Sequence, residues 1–169
     1  MPEITLLRIS GKIDRSSFEK TYTTLQRISH GGTLIVFINS TGGSVEDALK
    51  IRKILADTMI EKEIYTVCIG YGVVASSATL VFLSGMIRLL YLNTRFMIHA
   101  PTTTEQGNEL SKVHIESLKN IYLRTLTITR EILDEAFVSD RYFTLDEKEK
   151  FKIVTHPFRR IASFLRPVA

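Results

Sequence analysis

Apolar positions along the chain keep switching between two rhythms. Ile4 to Ile9 is a short apolar run that predicts a strand. Ser16 then opens a helix, with Glu19 three residues on completing a capping-box pattern. Phe18, Tyr22, Leu25 and Ile28 supply its apolar stripe and Gly31–Gly32 end it. Thr33 to Ile38 (TLIVFI) is continuously apolar and rich in β-branched residues, which predicts a strand buried on both faces. After the turn Asn39 to Gly43, Ser44 caps a second helix with Asp47 in the box. Val45, Ala48, Ile51 and Leu55 line its inner face.

The uncharged stretch from Ile64 to Ile87 is long enough to span a bilayer. It carries Gly70 and Gly72 in its middle, however, with several hydroxyl residues after them. Split there, it becomes a buried strand, Ile64 to Ile69, and a buried helix beginning near Ala75. Leu89 to Leu92 and Arg95 to His99 are further short strands, and a long helical pattern covers 110–137. Ile121, Tyr122, Leu126, Leu133 and Phe137 lie near one face of that pattern. A last strand, Lys152 to Thr155, precedes a basic tail over 157–169. Strands alternating with helices predict an α/β domain with a largely parallel sheet, as one domain over residues 1–169.

Composition narrows the partners. Net charge is +4 and charged residues make up 24% of the chain, with Lys and Arg scattered apart from the tail, so no basic face points to nucleic acid. Cys68, the one cysteine, sits in the apolar run IYTVCIG and reads as a buried small hydrophobe of a reducing, cytoplasmic compartment. The segment MPEITLLRIS lacks the basic and apolar blocks of a signal peptide. No His and carboxylate grouping has metal-ligand spacing, so neither metal nor cofactor is expected.

Two places could hold chemistry. Asn39 to Ser44 sets two glycines between a buried strand and a helix, where backbone N–H groups can meet an anion. Neither the Walker spacing nor G-x-G-x-x-G is present, which weakens a phosphate reading and leaves an oxyanion. The second place is Ser76, a hydroxyl in small apolar surroundings at an expected helix start. There it is a nucleophile candidate, and the Ser77 N–H an oxyanion donor. A small-residue turn packed in the core would read the same way, and local physics leaves Ser76 and Ser77 tied. The G-x-S-x-G elbow is absent. Of His30, His99, His114 and His156, only His99 ends a buried-looking strand, just before Pro101 redirects the chain. As a lone histidine it is more often structural than catalytic.

These residues together resemble a known family. INSTGGSVEDALKI resembles the INSPGGxxxxGxxI segment of ClpP, the proteolytic subunit of the Clp protease. GVVASSATLVFLSG is similar to that family's GQAASMGAxLLxAG, NTRFMIHAP to its NSRxMIHQP, and SDRYFT to its DRFLS. The resemblance implies an α/β, ClpP/crotonase-type fold of stacked β-β-α turns with a projecting handle helix. It also implies a serine endopeptidase, with Ser76 as nucleophile, His99 as general base and Asp140 as the acid that orients it. Gly43 and Ser77 would be the backbone oxyanion donors. The implied substrate is a peptide or unfolded protein, the implied assembly a heptameric homo-oligomer able to stack, and the implied partner an ATP-dependent unfoldase. Thr41 stands where the family has proline, Lys152 where it has glycine and Thr155 where it has aspartate. The connector TTTEQGNEL lacks the family's Gly-Gly turn, and the interval to Asp140 is shorter. Rival readings are a non-catalytic ring subunit, a membrane-associated peptidase using lysine as base, and an acyl-CoA enzyme of the crotonase kind.

Overall fold

The computed structural model describes residues 3–101 and 112–156. Six strands form one sheet: β1 (Ile4–Ile13), β2 (Thr33–Gly43), β3 (Tyr65–Ala75), β4 (Ile87–Leu90), β5 (Arg95–Ile98) and β6 (Arg141–Tyr142). Their order is β1-β2-β3-β5-β6, with β4 also paired to β3. All pairs are parallel except β5 with β6. Among the described residues there are also six helices: α1 (Arg15–Arg27), α2 (Val45–Glu61), α3 (Ser77–Phe82), α4 (Lys112–Thr125), α5 (Arg130–Val138) and α6 (Leu145–Lys150). This is the mixed α/β architecture with a parallel-rich sheet that the alternating rhythms predict.

The strands run past their apolar centres. β1 continues to Ile13 and β2 through the glycines to Gly43, where Ile13 pairs with Gly43. The expected turn at Asn39–Gly43 is therefore strand. The sheet is buried on one face only, since burial along β2 alternates. Leu34, Val36 and Ile38 are fully buried, whereas Ile35 and Phe37 are half-buried and Ile4 and Leu6 on β1 are 62% exposed. A strand buried on both faces is thus not what TLIVFI forms. Period-2 burial is what a sheet shows when one face meets the core.

Caps and breaks account for the other differences. Asp14, not Ser16, caps α1, accepting from the Ser17 N–H at 3.0 Å. Ser44 caps α2 as expected, accepting from the Asp47 N–H at 3.0 Å, and Ala48, Ile51 and Leu55 are buried. The Gly70–Gly72 break is a bulge rather than a turn. β3 continues to Ala75 because the Asn39 side chain on β2 accepts from the Val73 N–H at 3.1 Å, and pairing shifts from Ile38↔Gly70 to Ser40↔Val74. The stretch Ile64–Ile87 is therefore strand and a six-residue helix. Among the described residues no helix is long and apolar enough to cross a membrane.

The helical pattern over 110–137 divides into α4 and α5. Thr127, in the β-branched run between them, bonds to the Phe151 and Lys150 carbonyls, and Thr129 caps α5. The last expected strand, Lys152–Thr155, is a turn. Arg88 holds it by donating to the Lys152 carbonyl at 2.8 Å and the Ile153 carbonyl at 3.0 Å. The connector 102–111 and the basic tail 157–169 lie outside the described residues.

Candidate active site

Three elements of the sheet end at one place. Ser76 follows β3 and precedes α3, with φ 55° and ψ −131°. A non-glycine residue in this region is strained by about 1–3 kcal/mol, and such strain clusters at functional sites. A sharp strand-to-helix turn of this kind suits the presentation of a nucleophile, and it is formed here without the G-x-S-x-G motif. Two bonds hold it. The Ser76 N–H donates to the Met97 carbonyl at 3.0 Å, and the Ser76 carbonyl accepts from the Thr79 hydroxyl at 2.6 Å. Because the Thr79 hydrogen is used there, the Tyr122 hydroxyl is the donor in its 2.7 Å bond to Thr79. Burial raises the Tyr122 phenol to about 12, so it keeps its proton at neutral pH.

The bond to Met97 has a direct consequence. Met97 lies on β5 two residues before His99, so the same backbone contact that seats Ser76 also seats the imidazole. His99 Nε2 stands 2.7 Å from Ser76 Oγ, and its other nitrogen, Nδ1, is 3.3 Å from Asp140 Oδ1. The His99 side chain is 34% exposed and that of Asp140 64%. Asp140 is brought there by β6, whose Tyr142 and Arg141 pair antiparallel with Met97 and Ile98. Arg141 reaches back to Glu135 at 3.2 Å and Glu147 at 2.8 Å, bracing the turn that carries Asp140. Ser76, His99 and Asp140, far apart in sequence, are thus in one line of contacts.

The glycine turn meets Ser76 from the other side. Gly42 has φ +100°, and a Cβ there would lie 2.6 Å from Ser76 Cβ and 3.0 Å from the Ser77 nitrogen. Gly43 has φ +149°, and a Cβ there would run into the Ile13 carbonyl oxygen. Glycine is therefore required at both, by close approach of backbone as much as by φ. Gly42 abuts Ser76 and the Ser77 nitrogen, and Gly43, the expected oxyanion donor, is the next residue along β2. The requirement at Gly42 escapes sequence reasoning, which finds the glycine pair but not the serine it abuts.

The remaining candidates are elsewhere. His30 faces Glu63 at 3.8 Å, and His156 shares a bond with Thr155. Cys68 is fully buried, its thiol pushed up to about 12 by burial, so it is no nucleophile at neutral pH. Among the described residues no group of His, Cys, Asp and Glu could hold a metal ion. A hydroxyl bonded to an imidazole, with a carboxylate behind it and a glycine turn packed against it, suits attack on an acyl carbon.

Comparison with known proteins adds the relationship. Residues 5–153 match the family model for Clp protease. The chain is 34% identical over 99 residues to the ATP-dependent Clp protease proteolytic subunit of Cucumis sativus, covering 56% of this chain and 47% of that one. It is 35% identical over 97 residues to the same subunit of Nephroselmis olivacea, covering 56% and 44%. The match thus spans about half the length of these curated relatives. Among solved structures, ClpP1 from Listeria monocytogenes superposes with TM-score 0.73 at 22% identity, covering 88% of each chain. The ClpP protease catalytic domain from Plasmodium falciparum superposes with TM-score 0.70 at 23% identity, covering 89% of this chain and 83% of that one. Matched over nearly its whole described length, the chain belongs to the Clp protease family.

Proposed function

We propose that this chain is a serine endopeptidase subunit in which Ser76, His99 and Asp140 act as a catalytic triad. Ser76 Oγ attacks the peptide carbonyl while His99 Nε2 takes its proton and later returns it to the leaving amine. Asp140 holds the imidazole in the tautomer that leaves Nε2 free to accept. The Gly43 and Ser77 N–H groups receive the tetrahedral oxyanion, and water then releases the acyl-enzyme. The observation that carries this reading is the 2.7 Å contact between His99 Nε2 and Ser76 Oγ, made on a strained serine backbone. Membership of the Clp protease family supports it. The same reading takes peptides or unfolded proteins as substrates, a cytoplasmic heptameric ring of identical subunits as the assembly, and an ATP-dependent unfoldase as the partner.

A second reading, a ring subunit without catalysis, is favoured by the exposed Asp140 and its 3.3 Å separation from His99. Labelling with a fluorophosphonate separates the two. Wild type and Ser77→Ala take up the label, and Ser76→Ala takes up none and loses hydrolysis by a factor on the order of 10⁴ to 10⁶. Labelling that persists in Ser76→Ala rules out Ser76 as nucleophile. An assembled wild type that takes no label is the non-catalytic subunit.

A further inference from the structure

Thr79 on α3 is fully buried, and Tyr122 on α4 is 4% exposed. Buried hydroxyls need partners, and these two form a series. The Tyr122 hydroxyl donates to Thr79 Oγ1 at 2.7 Å, and Thr79 gives its own hydrogen to the Ser76 carbonyl at 2.6 Å. Thr21, Thr24, Thr58 and Thr125, on the other helices, bond differently. Each donates to the carbonyl four residues back, an ordinary outlet for a helical hydroxyl. Thr79 reaches three residues back, and the carbonyl it meets belongs to the strained serine.

That carbonyl already accepts from the Thr79 N–H at 3.0 Å, so the hydroxyl fills its second lone pair. Its place in the chain gives the extra bond a consequence. A peptide unit is planar, so the Ser76 carbonyl and the Ser77 N–H point in opposite directions on one rigid plate. Ser77 is the first residue of α3, and its N–H has no acceptor within that helix. Two donors on the carbonyl therefore fix where the N–H points. They also polarise it, because hydrogen bonds in series strengthen one another where the dielectric is low. The donors of Tyr122, Thr79 and Ser77 all face along the series in one sense. Burial raises the Tyr122 phenol to about 12, so the first hydrogen of the series stays in place at neutral pH.

We infer that Thr79 and Tyr122 are positioning residues for the oxyanion donor: their two hydrogen bonds aim and polarise the Ser77 N–H through the Ser76 carbonyl. The inference rests on the peptidase reading above, in which that N–H receives the oxyanion. Tyr122 acts only through Thr79, and Thr79 only through the peptide between Ser76 and Ser77.

The test labels the full chain with a fluorophosphonate across a range of pH, followed by mass spectrometry. As Ser76 Oγ bonds to phosphorus and fluoride leaves, negative charge gathers on the phosphoryl oxygen, which stands in for the oxyanion. Losing an oxyanion donor outright costs about 10²–10³-fold, and here the donor is weakened rather than removed. Thr79→Val is expected to slow labelling roughly tenfold to 100-fold, and Tyr122→Phe roughly threefold to tenfold. The pH midpoint set by His99 stays where it is while the plateau falls. Thr79→Ser, which keeps the hydroxyl, labels within about threefold of wild type. The double variant, which also removes the phenol that Thr79→Val leaves unpaired, labels no more slowly than Thr79→Val alone.

Wild-type rates in both Thr79→Val and Tyr122→Phe overturn the inference and leave the peptidase reading standing. So does a Thr79→Ser variant as slow as Thr79→Val, because the hydroxyl is then not what matters. Losses that multiply in the double variant break the series, and a moved pH midpoint assigns the effect to the base instead of the donor. Either result overturns the inference alone. Should Thr79→Val fail to fold in a thermal melt, Tyr122→Phe, which removes one oxygen at the far end, decides by the same readouts. A wild type that takes no label overturns both readings.

Discussion

Ser76 leaves a strand paired on both sides, with Ala75 buried behind it and its own N–H bonded to the neighbouring strand. Asp140 follows a nine-residue helix, precedes a two-residue strand, and keeps a side chain 64% exposed. The hydroxyl and the imidazole therefore inherit their geometry from the core, whose close packing permits few alternatives. The carboxylate inherits its position from the margin of the sheet, where Arg141 and its two ion pairs do most of the holding. Surface pairs of that kind are worth roughly 0–1 kcal/mol each. The proposed nucleophile and base are built rigidly, and the carboxylate proposed to orient them is held more loosely.

The largest effect should come from disturbing the rigid side. Gly42→Ala puts a methyl 2.6 Å from Ser76 Cβ and 2.8 Å from the Ala75 carbonyl, at φ +100°. Neither neighbour is a flexible side-chain end, so the backbone must shift. Overpacking and backbone strain together predict a stability loss of about 2–5 kcal/mol. A displacement near 1 Å at the nucleophile predicts a fall of roughly 10²-fold in the fluorophosphonate labelling rate. Thermal melts and labelling kinetics on one preparation measure both. An unchanged labelling rate would show that β2 does not set the nucleophile's position.

That glycine also marks where the sequence stops being readable. The centres of β1, β2 and β3 and the inner face of α2 were legible because apolar period and a Ser44 cap are local signals. The bulge in β3 was not, because Gly70–Gly72 reads as a turn until Asn39 reaches across from β2 to bond Val73. Nor was the break after α4, which depends on Thr127 bonding to Lys150 and Phe151 at the end of α6. The site shows the same division. Local chemistry leaves Ser76 and Ser77 tied, because what distinguishes them is position relative to His99. That position is made by a backbone bond to Met97, far along the chain. Only the motif resemblance reached Asp140, since an exposed aspartate has no local mark of its own.

Asp140→Asn tests the looser side. Replacing a buried triad aspartate by asparagine costs about 10⁴-fold by favouring the wrong tautomer. Asp140 is mostly exposed and 3.3 Å from Nδ1, where solvent screens the interaction and competes for the ring nitrogen. The expected fall in kcat/KM is therefore smaller, roughly 10²-fold, with the labelling of Ser76 slowed but not abolished. A loss as large as 10⁴ would mean that the margin holds its carboxylate as firmly as the core holds its serine. A loss under about threefold would remove Asp140 from the mechanism.

The smallest effect separates strain that serves the site from strain that does not. Ser76 and Lys152 share nearly the same φ, 55° and 56°. On the proposed mechanism serine is needed at the first for its hydroxyl, so that strain cannot be relieved without losing the proposed nucleophile. Lys152 is exposed, and its visible task is a backbone one, the carbonyl that accepts from Arg88 at 2.8 Å. Glycine keeps that carbonyl and removes a left-handed cost of about 1–2 kcal/mol, while its freer unfolded chain offsets about 0.5–1 kcal/mol. Lys152→Gly should therefore stabilise by about 0.5–1 kcal/mol, or roughly 2 °C in Tm, with kcat/KM unchanged. A lower Tm would mean that the lysine side chain supports the turn. Altered turnover at unchanged stability would instead tie this marginal turn to the site, and the division between core and margin would no longer hold.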